Sequence, residues 1–144
     1  MTNINKKPSK DLEVNIFWFR RDLRLEDNAG LYHALKSENP ILPLFIFDKN
    51  ILDKLPKDDA RVTFIYQTIE NLKKELHKHG SDLLVKYGKP EKIWPEILKE
   101  YKIKEVYANH DYEPYARERE DNMAEFLTSE KIAFRTFKDQ VIFE

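Results

Sequence analysis

Apolar and polar positions alternate along this chain in a way that changes period at regular intervals. In residues 14–19, Val14, Ile16, Phe17, Trp18 and Phe19 form a nearly continuous apolar run. It is too short for a membrane span and suits a strand buried on both faces of a parallel sheet. Comparable runs at 41–47, 82–87, 105–109 and 133–137 predict further strands. Between them the spacing becomes helical. Over residues 59–79, Val62, Ile65, Tyr66, Ile69, Leu72 and Leu76 recur along one helix face and Gly80 supplies a stop. Such a stripe most often reports burial and nothing else. Pro90 opens a shorter helix ending near Tyr101, with Ile93, Trp94, Ile97 and Leu98 inward. Pro114 opens another reaching Glu130, with Met123, Phe126 and Leu127 inward. Proline suits a first helical turn, where its absent amide proton has no partner to lose. The alternation, free of internal repeats, predicts an α/β fold: a Rossmann-like, doubly wound, five-stranded parallel sheet with helices on both faces.

A chain of 144 residues suffices for one domain with its own core. Residues 1–13 are polar, with Lys6, Lys7 and Lys10, and are expected to form a flexible arm ahead of a domain spanning 14–144. Val141, Ile142 and Phe143 begin another apolar run that normally packs against something further, so the domain is expected to continue into more chain. The lack of cysteine excludes disulfides, thiol catalysis and cysteine-ligated zinc, and it fits a reducing, cytoplasmic setting. No run has the length of a membrane helix, so no membrane partner is expected.

Charged residues make up 35% of the chain yet cancel to a net charge of −1. Proteins that grip phosphates show a basic stripe and a basic total, so any DNA-gripping surface is expected outside these residues. The three glycines, Gly30, Gly80 and Gly88, are too scattered for a dinucleotide fingerprint or phosphate loop. His77 and His79, two apart on a helix, send their rings to different faces, and no metal site is expected.

Chemistry concentrates where strands end. Arg20, Arg21, Asp22 and Arg24 follow the first strand abruptly, with Asp27 or Asn28 placed to cap a helix. Asp48 closes the second strand and Asp111 follows the fourth. In an open parallel sheet these ends meet around one crevice. Convergent carboxylates there can bind the polar edge of a ring system, with Ile46 and Phe47 as apolar walls. Any one aspartate alone is more readily a turn or helix cap; the trio together favours a site. Arg117 and Arg119 alternate with Glu113, Glu118 and Glu120, which on its own describes a solvated charged face.

The consecutive string FWFRRDLRLEDN resembles the opening of the DNA photolyase and cryptochrome family. LFIFDKNIL is similar to the family's second-strand segment, DARVTFI to its ARVxFL segment, and DYEPYARER to its EPYxRxRD motif. Together they cover 14–143, the family's amino-terminal domain. The resemblance implies a domain that holds a light-harvesting antenna chromophore for light-driven repair of pyrimidine dimers. It implies Asp22, Asp48, Asp111, Phe47 and Arg21 as pigment contacts, and Glu113, Tyr115, Arg117 and Arg119 as contacts to a carboxy-terminal FAD-binding helical domain. It places no catalytic residue here, and it brings FAD and DNA in only through that further domain. Folate-binding members carry asparagine and glutamate where this chain has Tyr115 and Ala116, so FMN or a deazaflavin is expected in preference to folate. Glu120 stands where the motif most often has aspartate, which puts tight arginine pairing there in doubt. Two alternatives stay open: a cryptochrome-type photoreceptor domain, and a stand-alone flavodoxin-like module. An uncovered interdomain face would favour self-association.

Overall fold

The computed structural model describes residues 13–20, 23–26, 28–48, 56, 58–110 and 114–138, the side chains of 114–120 excepted. In chain order these form β1 (Glu13–Phe19), α1 (Ala29–Leu35), β2 (Ile41–Asp48), α2 (Ala60–Lys78), β3 (Leu84–Gly88), α3 (Pro90–Glu100), β4 (Lys102–Asn109), α4 (Pro114–Ser129) and β5 (Ala133–Phe137). The strands build one five-stranded sheet in the order β3-β2-β1-β4-β5, and every pairing is parallel. Chain order reverses between β1 and β4, the switch point of a doubly wound sheet. The predicted fold class is therefore the observed one. The leader through residue 12 and the 141–143 run lie outside the described residues, while Glu13, expected in the arm, begins β1.

Side-chain alternation sorts the core into two layers. Val14, Ile16, Trp18, Leu42, Leu44 and Ile46 face Ile93, Trp94 and Ile97 of α3 and Met123 and Leu127 of α4. Phe17, Phe19, Ile41, Phe45 and Phe47 face Leu31 and Ala34 of α1 and Ile69, Leu72 and Leu76 of α2. The α2 stripe is thus buried only in its second half; Tyr66, which the helical spacing also placed on it, is 44% exposed.

Local chemistry sets the element ends. Asp59 caps α2, its Oδ1 accepting from the Arg61 amide at 2.8 Å. Ser81 N donates to Leu76 O and Gly80 N to His77 O at the other end, a Schellman closure with Gly80 at φ 78°. The same closure ends α4, where Ile132 N donates to Leu127 O, but the left-handed position is taken by Lys131 at φ 63°. β3 starts at Leu84, later than the expected 82, because the Asp82 carboxylate accepts from the Leu83 amide at 2.7 Å and occupies the backbone locally. β4 starts at Lys102, earlier than the expected 105, since β1 extends to pair with it. Buried Asn15 repairs the register shift between these strands: its Oδ1 accepts from Glu105 N at 3.0 Å and its Nδ2 donates to Ser37 Oγ at 2.9 Å. Among the described residues no helix is long and apolar enough to cross a membrane.

Candidate functional site

Parallel strands bring β1 to β5 out at one rim, and at the switch point four groups close on one another. Asn109, the last residue of β4, is buried. Its Oδ1 accepts from the Gly30 amide at 2.7 Å, and its Nδ2 donates to Asn28 Oδ1 at 2.7 Å. Asn28 Oδ1 also accepts from Leu31 N at 3.0 Å, and its Nδ2 donates to Arg24 O at 2.9 Å. Asn28 is therefore the α1 cap. Arg20 donates through Nη2 to the Asn109 carbonyl while its guanidinium lies 5.2 Å from the centre of the Trp18 ring. This places Arg20, at the end of β1, against the end of β4. The approach requires glycine at position 30, because a Cβ there would stand 2.7 Å from Asn109 Oδ1 and 2.8 Å from Phe17 Cε1. Beyond it the His33 ring stacks on Phe137 at 4.3 Å.

Across β1, the rim is aromatic. Phe47 is buried, its ring 4.8 Å from Tyr66 and 4.9 Å from Tyr87 and nearly parallel to both. Alternation turns Phe47 toward α2, and Asp48, one residue on, is the buried end of β2, opposite Gly88 in register. Burial raises the Tyr87 phenol above its ordinary pKa, helped by the neighbouring Tyr66 and the Glu70 carboxylate, so it stays neutral near pH 7.

Of the residues proposed from sequence, Asp48 and Phe47 are thus adjacent at the β2 end. Arg21, Asp22, Asp111 and Glu113 lie outside the described residues, as do the side chains of Tyr115, Arg117 and Arg119 in the first turns of α4. Sequence reasoning missed the Asn28–Asn109 bridge and the Tyr66–Tyr87 pair. An asparagine closing a buried strand, as in YANHD, was the available signal for the bridge. The tyrosines had none, because they come from α2 and β3 and meet only through Phe47 of β2.

Asp48 shares the face opposite Phe47 with its register partner Gly88, whose position lies against Ile93 of α3, so the β2 end presents stacked rings on the α2 side and a carboxylate acceptor on the α3 side. The family model described as DNA photolyase matches residues 15–144. A deoxyribodipyrimidine photo-lyase of Synechococcus sp. is 34% identical over 127 residues, covering 88% of this chain and 26% of the relative. A chloroplastic/mitochondrial cryptochrome DASH of Solanum lycopersicum is 41% identical over 104 residues, covering 68% of this chain and 18% of the relative. Among solved structures, an archaeal photolyase from Sulfolobus tokodaii, described as holding two FAD molecules with implication of a novel light-harvesting cofactor, superposes with a TM-score of 0.77. It is 31% identical, covering 92% of this chain and 31% of that one. The chain spans about a quarter of the length of the Synechococcus relative.

Proposed function

The chain belongs to the DNA photolyase family, and from that premise we propose that it is the amino-terminal, antenna-holding domain of a deoxyribodipyrimidine photolyase. The observation that carries this reading is the family match across 15–144, which takes in all five strands but for the first two residues of β1. The pigment proposed is of flavin type, FMN or a deazaflavin. The bound pigment absorbs light and passes its excitation to FAD in a helical domain elsewhere in a longer protein. This chain's own part is to hold the ring system at fixed orientation and keep water from one face. Asp48 accepts a hydrogen bond from the ring's polar edge, with Asp22, Arg21 and Asp111 proposed as further contacts. Glu113, Tyr115, Arg117 and Arg119 are proposed to meet the helical domain, through which DNA is engaged. The cytoplasm is the proposed setting.

The test is a fluorescence titration of FMN and of a deazaflavin into the purified chain and its Asp48→Asn variant, with melting curves to check folding. Loss of a charged acceptor should weaken binding roughly tenfold. Equal binding removes Asp48 from the site, and no binding by either protein leaves the domain a scaffold only. A second reading, a cryptochrome-type blue-light photoreceptor domain, draws on the 41% identity to the tomato cryptochrome DASH. Repair of irradiated DNA by the full-length protein separates the two.

A further inference from the structure

We propose that Trp18 and Trp94 form an ultraviolet-collecting relay, in which two indoles in contact carry excitation from the core to a pigment held at the strand ends. This rests on the antenna reading above and goes beyond it by giving the protein's own side chains a share in light collection. The two are the chain's only tryptophans. They come from different elements, β1 and α3, yet their rings meet edge to face at 5.4 Å and 76° in the layer between the sheet and α3 and α4. Dipole coupling between rings weakens steeply with separation, so two indoles in contact exchange excitation far faster than either emits.

The surroundings give the relay a direction. Trp94 is fully buried, and its Nε1 finds no acceptor among the described residues. An orphaned buried donor opposes folding and calls for a reason; a dry indole with an unpartnered N–H keeps its excited level high. Trp18 is 7% exposed, with the Arg20 guanidinium 5.2 Å from its ring centre at the polar rim. Solvent at Trp18 lowers its excited level below that of Trp94, so excitation runs outward. Trp18 stands one residue short of the end of β1, about 3.3 Å. β1 is the middle of the five strands, and the outermost ones stand two spacings, about 10 Å, to either side. A pigment anywhere along this rim is within easy reach of dipole coupling. The acceptor class is a chromophore that absorbs in the near ultraviolet, where indoles emit, and a flavin-type ring does so. No bond or charge moves in the step: the indole returns to its ground state as the pigment is raised.

The experiment reads the unloaded chain first. Fluorescence anisotropy of the wild type should be low across the indole band and rise at its red edge, where the lower-lying ring is excited directly. Trp18→Phe and Trp94→Phe each keep one indole and should show the high anisotropy of an isolated ring. Trp18→Phe, which leaves Trp94, should emit at the shorter wavelength of the two. Equal anisotropy in wild type and single variants, or the opposite order of emission, overturns the relay. FMN or a deazaflavin is then bound, and the excitation spectrum of the pigment's emission is compared with that of free pigment. Wild type should show an added indole band, Trp94→Phe a weaker one, and the double variant none. Both rings are core positions, so thermal melts check folding. Biosynthetic replacement of tryptophan by 4-fluorotryptophan, which has nearly the same shape and hardly emits, serves where the double variant fails to fold. Bound pigment without an added indole band in wild type overturns the relay and leaves the antenna reading in place. Binding of neither pigment by the wild-type chain overturns both.

Discussion

Gly30→Ala tests the geometry of the switch point, because two opposing effects there differ in size. In a helix, alanine is favoured over glycine by about 1 kcal/mol, and Gly30 lies within α1. Against that stands a Cβ at 2.7 Å from Asn109 Oδ1, 2.8 Å from Phe17 Cε1 and 3.3 Å from the Ala108 carbonyl carbon. Neither side chain can yield freely. Phe17 is fully buried, and the Asn109 amide is held by Gly30 N and Asn28. Shifting α1 outward costs about 1–3 kcal/mol as overpacking. Swinging Asn109 away leaves a buried amide unsatisfied, at about 1–3 kcal/mol more. Net destabilisation is about 1–5 kcal/mol, read as a lower urea midpoint and a melting temperature reduced by about 3 °C per kcal/mol. Introducing Gly30→Ala into an Asn109→Ala background should cost less, since one clashing partner is gone. A Gly30→Ala protein as stable as its parent, or equal costs in both backgrounds, would refute the close approach of α1 to β4.

Lys131→Gly should raise stability by up to about 1 kcal/mol, because a left-handed backbone costs a non-glycine residue about 1–2 kcal/mol and glycine's unfolded freedom returns part of that; an unchanged or lower melting temperature contradicts it. Asp59 has its pKa lowered from 3.8 to about 2 by side-chain and backbone hydrogen bonds with Arg61, so its contribution to the α2 cap is complete above pH 4 and disappears as pH falls through about 2. Far-ultraviolet circular dichroism of wild type against Asp59→Asn, which keeps a capping oxygen but no charge, should therefore differ near pH 5 and converge at the acid end, and a constant difference across the range rules out the ionised carboxylate as its source.

The period of the apolar pattern made β1, β2 and β5 and the helices α2, α3 and α4 legible almost to the residue, because burial on a sheet or helix face is a local property of spacing. Where a polar side chain intervened, legibility stopped. Asp82 reads as part of a strand until its carboxylate is seen to hold the Leu83 amide, and Lys102, Ile103 and Lys104 conceal the start of β4 because that stretch owes its pairing to Glu13 and Val14. Tyr66 fits the helical stripe by spacing and stacks on Phe47 in the layer that the stripe covers, yet stays 44% exposed because it lies where that layer meets the sheet's rim. Asn28 and Asn109 are 81 residues apart, and a hydrogen bond between two amides leaves no periodic trace in sequence. Asp48 was legible as the polar end of an apolar strand, the one position in the proposed trio that the described residues include.

The rim divides the labour between its two sides. At β1 and β4, the switch point of the sheet, Asn28, Gly30, Asn109 and Arg20 are joined to one another by hydrogen bonds. On the other side of β1, Phe47 of β2 stacks with Tyr66 of α2 and Tyr87 of β3. One side of the rim is therefore fixed by amide hydrogen bonds, whose loss leaves buried polar groups unsatisfied, and the other by ring packing, which tolerates any flat apolar replacement. Substitutions that break the bridge should cost more stability than Tyr87→Phe, which keeps the ring stack.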